Sequence, residues 1–276
     1  MKMVAIGDNV VDCYIDQGVY YPGGNCVNVA VNCKRHGWEE CAYIGVFGND
    51  DKAEHIKWAL DQEGVDYSRS RTMIGISGQP GVNLTSEGDR VFVGGPKDTV
   101  QHLVRLKITP EDLEYISQFD ICHTSCYSSL ELELPNMKKY CDISFDFSDC
   151  MNKEYLETVC PHIKYGFFSG SNLSPDEIRK LIDICHSFGT KIVGVTLGSK
   201  GAIFSNDGEI FEQGIIPTDV VDTMGAGDSF IAGFLTYYIK YNDMLKALGF
   251  AAKCAANTCT FNGGFGYPHP LTEWQK

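Results

Sequence analysis

Residues Asp222 to Leu235, DTMGAGDSFIAGFL, set a glycine-rich turn, an acidic residue and the start of an apolar helix in immediate succession. Gly225, Ala226 and Gly227 carry almost no side chain, so an anion can approach the backbone N–H groups that a helix's first turn leaves unsatisfied. Asp228 falls at the same helix mouth, where the macrodipole favours its ionised form. A carboxylate base beside a pocket for phosphate oxygens is the pairing that phosphoryl transfer needs. The string GAGD taken alone also suits an ordinary helix entry with Asp228 as a cap.

Other stretches carry chemistry-bearing residues. Pro22-Gly23-Gly24-Asn25, followed by Asn28-Val29-Ala30, puts two glycines at another helix entry, where the backbone either touches a small polar ligand or simply turns. Asp12 follows the first strand in GDNVVD, near enough along the chain to face the same ligand, with Asp8 as the second candidate. Thr196-Leu197-Gly198-Ser199-Lys200-Gly201 ends a predicted strand. It is no P-loop, because Gly-Ser-Lys inverts the required order and no helix is predicted to follow. Lys200 suits phosphate neutralisation or a solvated surface. The run Ala251 to Asn257, AAKCAAN, fits a small-residue helix that admits either close helix packing or an adenine ring.

The elements that must position these residues alternate. Residues 3–7 are expected as a short central strand, then a helix from about Asn28 to His36 closed by Gly37, a strand at 41–48 and a helix at 51–64. Further strands are expected near 121–125, 143–147, 165–169 and 192–197, and a helix begins after Ser174-Pro175. That pattern is an α/β layer architecture. It breaks between Ser77 and Pro96, where two β-patterned runs flank the turn signal Ser86-Glu87-Gly88-Asp89. With Cys13 to Tyr21 these runs form a small β-sheet lid beside the main body.

Composition narrows the function classes. A chain of 276 residues with 43% hydrophobic content can bury a large core. Its 36 acidic and 23 basic residues give a formal net charge of -13, which opposes binding to nucleic acid or to anionic lipid. A nucleotide triphosphate would then be held by local N–H dipoles and a divalent cation. The twelve cysteines are scattered, with no C-x-x-C pair and no zinc-finger spacing, and are expected as reduced thiols. MKMVAIGD enters a strand at once without the marks of a secretory signal, and no run approaches the roughly 18 apolar residues of a membrane span. A cytoplasmic protein is expected.

The chain resembles the ribokinase (PfkB) family of carbohydrate kinases over nearly its whole length and in the correct order. Asp222, Thr223, Gly225, Ala226, Gly227 and Asp228 match the family's second signature, Gly23 to Asn28 its Gly-Gly-x-x-x-Asn signature, and Thr196 to Gly201 its nucleotide loop. The resemblance implies one kinase domain over residues 1–276. Its fold would be a three-layer α/β/α sandwich with a mostly parallel central sheet and lid segments at about 13–21 and 77–96. Asp228 would take the proton of a sugar hydroxyl, and Gly225, Ala226, Gly227 and Asp228 would form the anion hole for the γ-phosphoryl. Asp12, Gly24, Asn25 and Asn28, with Asp8 in second place, would hold the sugar. Thr196, Gly198, Ser199, Gly201 and Asn257 would line ATP. Asp222 would help bind a monovalent cation such as K+, with carbonyls from its own loop and from FNGGFGY at 261–267. Mg2+ would accompany the nucleotide, yet the family's Asn-x-x-Glu motif is missing. Ser169 and Asn172 stand about where its ends belong, which leaves Asp146 or Glu177 to contribute.

Asn25 occupies a position that is lysine in ribokinase itself, which counts against ribose. The segment after GDNVVD, GGNCVNVAV, DRVF and FDFSD resemble the branch of the family that phosphorylates the 6-hydroxyl of fructosamines such as fructoselysine. Such a substrate carries a cationic amine, which Asp12, Asp8 and Asp146 would complement. Arg90 is a candidate for the substrate's carboxylate or an ordinary surface arginine. The lid's outer face is expected to pair in a homodimer. Other readings are a kinase for another ketose, a sugar acid or a nucleoside, and a non-catalytic sugar-binding or regulatory protein on the same fold.

Overall fold

Alternate residues of β1 (Lys2–Gly7) enter two different apolar clusters, Met3 and Ala5 one, Val4 and Ile6 the other, so the strand is buried on both faces. Strands of this kind belong to a parallel sheet covered by helices on both sides. The computed structural model describes residues 1–85 and 88–274.

The chain continues through β2 (Val10–Tyr14), β3 (Val19–Gly23), α1 (Asn25–Arg35), β4 (Glu40–Phe47), α2 (Asp51–Glu63) and β5 (Arg71–Thr72). There follow β6 (Gly81–Leu84), β7 (Arg90–Gly94), the short α3 (Val100–Leu103), α4 (Pro110–Ile116), β8 (Ile121–Ser125), the short α5 (Leu134–Met137) and β9 (Asp142–Asp146). The last third comprises α6 (Lys153–Val159), β10 (Tyr165–Ser169), α7 (Pro175–Ser187), β11 (Ile192–Thr196), β12 (Ala202–Asn206), β13 (Glu209–Gln213), α8 (Ala226–Tyr241), α9 (Met244–Thr258) and β14 (His269–Pro270).

Nine strands form one sheet in the order β13-β12-β11-β10-β9-β8-β1-β4-β5. It is parallel from β11 to β5, while β12 and β13 pair antiparallel at one edge. Helices α1, α2, α8 and α9 pack against one face, and α4, α5, α6 and α7 against the other. This is the expected three-layer α/β/α architecture. A second sheet runs β14-β3-β2-β6-β7. It uses more of the first segment than residues 13–21, because β2 starts at Val10 and β3 ends at Gly23. The β6–β7 pair is antiparallel, with Val91 and Phe92 of the edge strand exposed; Ser86 and Glu87 of the expected turn lie outside the described residues. Among the described residues no helix is long and apolar enough to cross a membrane, and the twelve cysteines are free.

Helix α7 starts as its sequence requires, with a reciprocal Ser174–Glu177 capping box and Pro175 in the first turn. Helix α1 differs: it begins at Asn25, three residues before the expected Asn28. Gly24, its N-cap, offers no side chain, and the cap comes from a distant residue. Asp8 Oδ2 accepts from the Asn25 N–H at 2.7 Å and Oδ1 from the Cys26 N–H at 3.4 Å, while Ser125 and Ser128 donate hydroxyls to Oδ1. A carboxylate beyond the first strand thus fixes where the helix starts. Asp8→Ala is expected to cost about 1–3 kcal/mol of stability, the scale for losing hydrogen bonds to a buried charged group; unchanged chemical denaturation would show that α1 does not depend on this cap.

Candidate active site

Because β1, β8, β9, β10 and β11 are parallel, Asp8, Ser125, Asp146, Ser169 and Thr196 all emerge at one edge of the large sheet, the edge where open α/β sheets bind ligands. The N-termini of α1 and α8 come to this edge from the chain's two ends. Helix α8 opens at Gly225, which has φ 71° and no capping side chain. A Cβ there would lie 2.6 Å from the Gly264 Cα, so the left-handed turn and the contact with the 261–267 loop both demand glycine. Ala226, exposed Gly227 and Asp228 form the first helical turn, with their N–H groups at an uncapped helix mouth.

Asp228 is held from α1. Asn28 Nδ2 donates to its Oδ2 and Asn25 Nδ2 to its Oδ1, each at 2.7 Å. The same Asn25 nitrogen donates to Asp146 Oδ2 at 2.8 Å, which keeps two carboxylates within two hydrogen-bond lengths. Asn25 Oδ1 faces His123 Nε2 at 2.9 Å, a residue that the sequence reading passed over. One histidine in the apolar strand ICHTS looks like core, and His123 does have no exposed surface. What distinguishes it is a partner 98 residues away in sequence, which no local pattern announces.

Asp12 sits on β2 with 4% of its surface exposed, and among the described residues no protein donor reaches its carboxylate. Room for it comes from Gly23, where a Cβ would stand 2.2 Å from Asp12 Oδ2. Burial pushes Asp12 up to about 7, with Asp228, Asp222 and Asp8 adding to the effect and Arg90 opposing it. Burial and the charge of Asp228 likewise raise Asp146 to about 7, against hydrogen bonds from the Ser148 N–H and Asn25. Asp228 is also raised, chiefly by burial, while Asn28, Asn25 and Arg90 pull it back. Arg90, exposed on β7, reaches over the site and donates to the Thr223 carbonyl at 3.0 Å.

The remaining candidates lie further round. Thr196 ends β11, and exposed Gly198, Ser199 and Lys200 make a single 3-10 turn before Gly201, where no helix was expected. Asn257 is exposed on the last turn of α9. The end of β13 borders both stretches, since Gln213 lies against Gly201 and Gly249. Asp222 has no exposed surface, and its carboxylate accepts from the Tyr14 hydroxyl at 2.5 Å, the Met224 N–H at 2.9 Å and the Gly263 N–H at 2.8 Å. It joins β2, the anion turn and the 261–267 loop to one another. Glu177 is taken up by the α7 capping box, and Ser169 and Asn172 are exposed. Among the described residues no three acidic, His or Cys side chains converge to hold a metal ion.

Residues 3–265 match the family described as pfkB family carbohydrate kinase. The chain is 46% identical over 270 residues to fructosamine kinase FrlD of Bacillus subtilis, covering 98% of this chain and 95% of that one. To fructoselysine 6-kinase of Escherichia coli it is 34% identical over 267 residues, covering 96% and 100%. Among solved structures, Arabidopsis thaliana ribokinase complexed with ribose and ATP superposes with a TM-score of 0.80 at 22% identity, covering 95% of this chain and 93% of that one.

Asp12 and Asp146 both have folded-state values near 7, above the ordinary 3.8, so the folded protein holds protons that the unfolded chain releases. The stability linked to them is complete below about pH 4 and is lost as pH rises through about 7. The ligand-free protein is therefore expected to melt at a higher temperature at pH 5.5 than at pH 8, roughly the two sides of that transition, and Asp146→Asn should flatten the difference. A melting temperature that rises across this interval in both proteins would contradict the assignment.

Proposed function

The chain belongs to the pfkB family of carbohydrate kinases and catalyses ATP-dependent phosphorylation of a sugar hydroxyl, and we propose that its acceptor is the 6-hydroxyl of a fructosamine such as fructoselysine, with Asp228 as the base. One observation carries the mechanism: Asp228 stands in the first turn of the uncapped α8, held by two asparagines of α1. Proton acceptor and anion-binding N–H groups are thereby parts of one helix end.

The acceptor sugar lies against Asp12, Gly24, Asn25 and Asn28. Asp12 is buried without a donor among the described residues, so hydroxyls of a ligand satisfy it, two to one carboxylate. The transferring phosphoryl lies over the N–H groups of Gly225 to Asp228, whose fixed dipoles meet the developing charge with no reorganisation. Because such transition states are mostly loose, Asp228 chiefly aligns the hydroxyl and captures its proton late. ATP extends along Thr196, Gly198, Ser199 and Gly201 toward α9 and Asn257. A divalent cation bound with the nucleotide would neutralise charge on its phosphates.

Charge favours a fructosamine over a neutral sugar. The charge of Asp228 raises both Asp12 and Asp146, and the exposed Arg90 acts against the rise at Asp12 and Asp228. A cationic amine on the acceptor supplies the missing positive charge, and its amino-acid carboxylate suits Arg90. The two curated relatives named above are kinases of this substrate class.

Asp228→Asn is expected to lower kcat by roughly 10² or more, the usual contribution of a general base, with ATP affinity little changed; a folded, fully active variant would remove Asp228 from the role. Across fructoselysine, fructose, ribose, 2-keto-3-deoxygluconate and nucleosides, ATP-dependent ADP release is expected to favour fructoselysine by about tenfold or more in kcat/KM, at least ~1.4 kcal/mol of discrimination. A neutral acceptor turning over equally well would reject the substrate assignment while leaving the Asp228 chemistry intact.

A further inference from the structure

His123 occupies the middle of β8 with no exposed surface, and both its ring nitrogens are engaged. Nδ1 lies 2.9 Å from Ser144 Oγ on β9, and Nε2 lies 2.9 Å from Asn25 Oδ1 on α1. The direction of these bonds is dictated from the far side of Asn25. Its Nδ2 is 2.8 Å from Asp146 Oδ2 and 2.7 Å from Asp228 Oδ1; Asp228, ionised as a base must be, only accepts, and Asp146 accepts through an unprotonated oxygen in either of its states. Both hydrogens of the amide are therefore spent, and its oxygen is left to accept from the ring. His123 must carry its proton on Nε2, and the Ser144 hydroxyl must donate to Nδ1. Turning the amide over would set its oxygen against the oxygens of Asp146 and Asp228, which leaves the observed orientation as the favourable one. Burial agrees with a single proton, holding the imidazole down to about 3.

We propose that His123 is a positioning residue for phosphoryl transfer: locked as the Nε2–H tautomer, it fixes the Asn25 amide and thereby the relative places of Asp228 and Asp146 at the acceptor. The chain Ser144–His123–Asn25 runs from the sheet interior to the two carboxylates, through a rigid ring and a planar amide. Without its anchor the amide can rotate, and an Asp228 displaced by as little as 1 Å from the acceptor hydroxyl loses about 10²-fold in rate. Asn28 continues to hold the other oxygen of Asp228, so the carboxylate pivots rather than leaves. This inference rests on Asp228 acting as the base.

Two measurements on the full chain test it. Nitrogen-15 NMR of histidine-labelled protein should show His123 as the neutral Nε2–H tautomer throughout the range of about pH 5 to 8 in which an ordinary histidine titrates. An Nδ1–H tautomer, or protonation within that range, would overturn the proposal. In kinetics, His123→Ala should lower kcat about 10-fold to 10²-fold with the KM for ATP unchanged. His123→Gln should recover most of the loss, because its carboxamide offers an acceptor toward Ser144 and a donor toward Asn25. Where the alanine variant fails to fold, Ser144→Ala serves instead: it removes the ring's second anchor while Asn25 still holds the proton on Nε2, so a reduced kcat with the Nε2–H tautomer retained is expected, and an unchanged kcat would overturn the proposal. Variants that lose thermal stability but keep kcat would assign His123 a purely structural role and overturn the proposal. Asp228→Asn measured beside them separates the two ideas, since an inactive Asp228→Asn with an unimpaired His123→Ala defeats the positioning role and leaves the base in place.

Discussion

Two side-chain amides on α1 grip one carboxylate on α8, and the arrangement of the site follows from that grip. Asn25 and Asn28 stand three residues apart, which puts them on one face of a helix. Their usefulness depends on where α1 begins, and Asp8 sets that from the end of β1. It depends equally on where α8 begins, which the contact of Gly225 with Gly264 sets from the other end of the chain. Hydrogen bonds to a charged group contribute about 1.5–3 kcal/mol each, and here they offset part of the cost of drawing Asp228 into a half-buried place. The site is a junction of two helix starts, each of which would be misplaced without a residue far away in sequence.

The architecture was legible because its signals are local. Alternation of buried strands and amphipathic helices, the Ser174–Glu177 cap and the glycine turn at 225–227 each declare themselves within a few residues. What could not be read is what depends on long-range partners. Helix α1 starts at Asn25 because of Asp8, which no sequence pattern near residue 25 reveals. Asp8 looked like a second sugar carboxylate, and its oxygens accept from α1 and two serines. Asp222 looked like part of a cation site, and its surroundings include Tyr14 from 208 residues earlier. His123 was silent, since a histidine's company in the fold gives it its role.

The electrostatics of the site are those of an unfinished complex. Four carboxylates, Asp8, Asp12, Asp146 and Asp228, gather where the helix starts contribute partial positive charge and Arg90 acts on Asp12 and Asp228 with a full one. The protein tolerates this by keeping Asp12 and Asp146 partly protonated near neutral pH. A hydroxyl or a positive charge brought by a ligand would relieve this surplus, so binding partners of different chemistry would be coupled through one local field.

The packing of α1 against α8 has a bearing on biosynthesis. Cys33 and Trp38, at the end of α1 and just beyond it, hydrogen-bond to Ala232 and Thr236, and α1 buries its inner face against α8. A ribosome delivers the first helix long before the second, so the apolar side of α1 waits uncovered while most of the sheet is made. Pairings this distant in sequence close late and fold slowly. Until the last elements leave the exit tunnel, the nascent chain exposes a surface that attracts chaperones or other nascent chains, and the competence to hold a sugar arrives all at once, with the final fifth of the polypeptide.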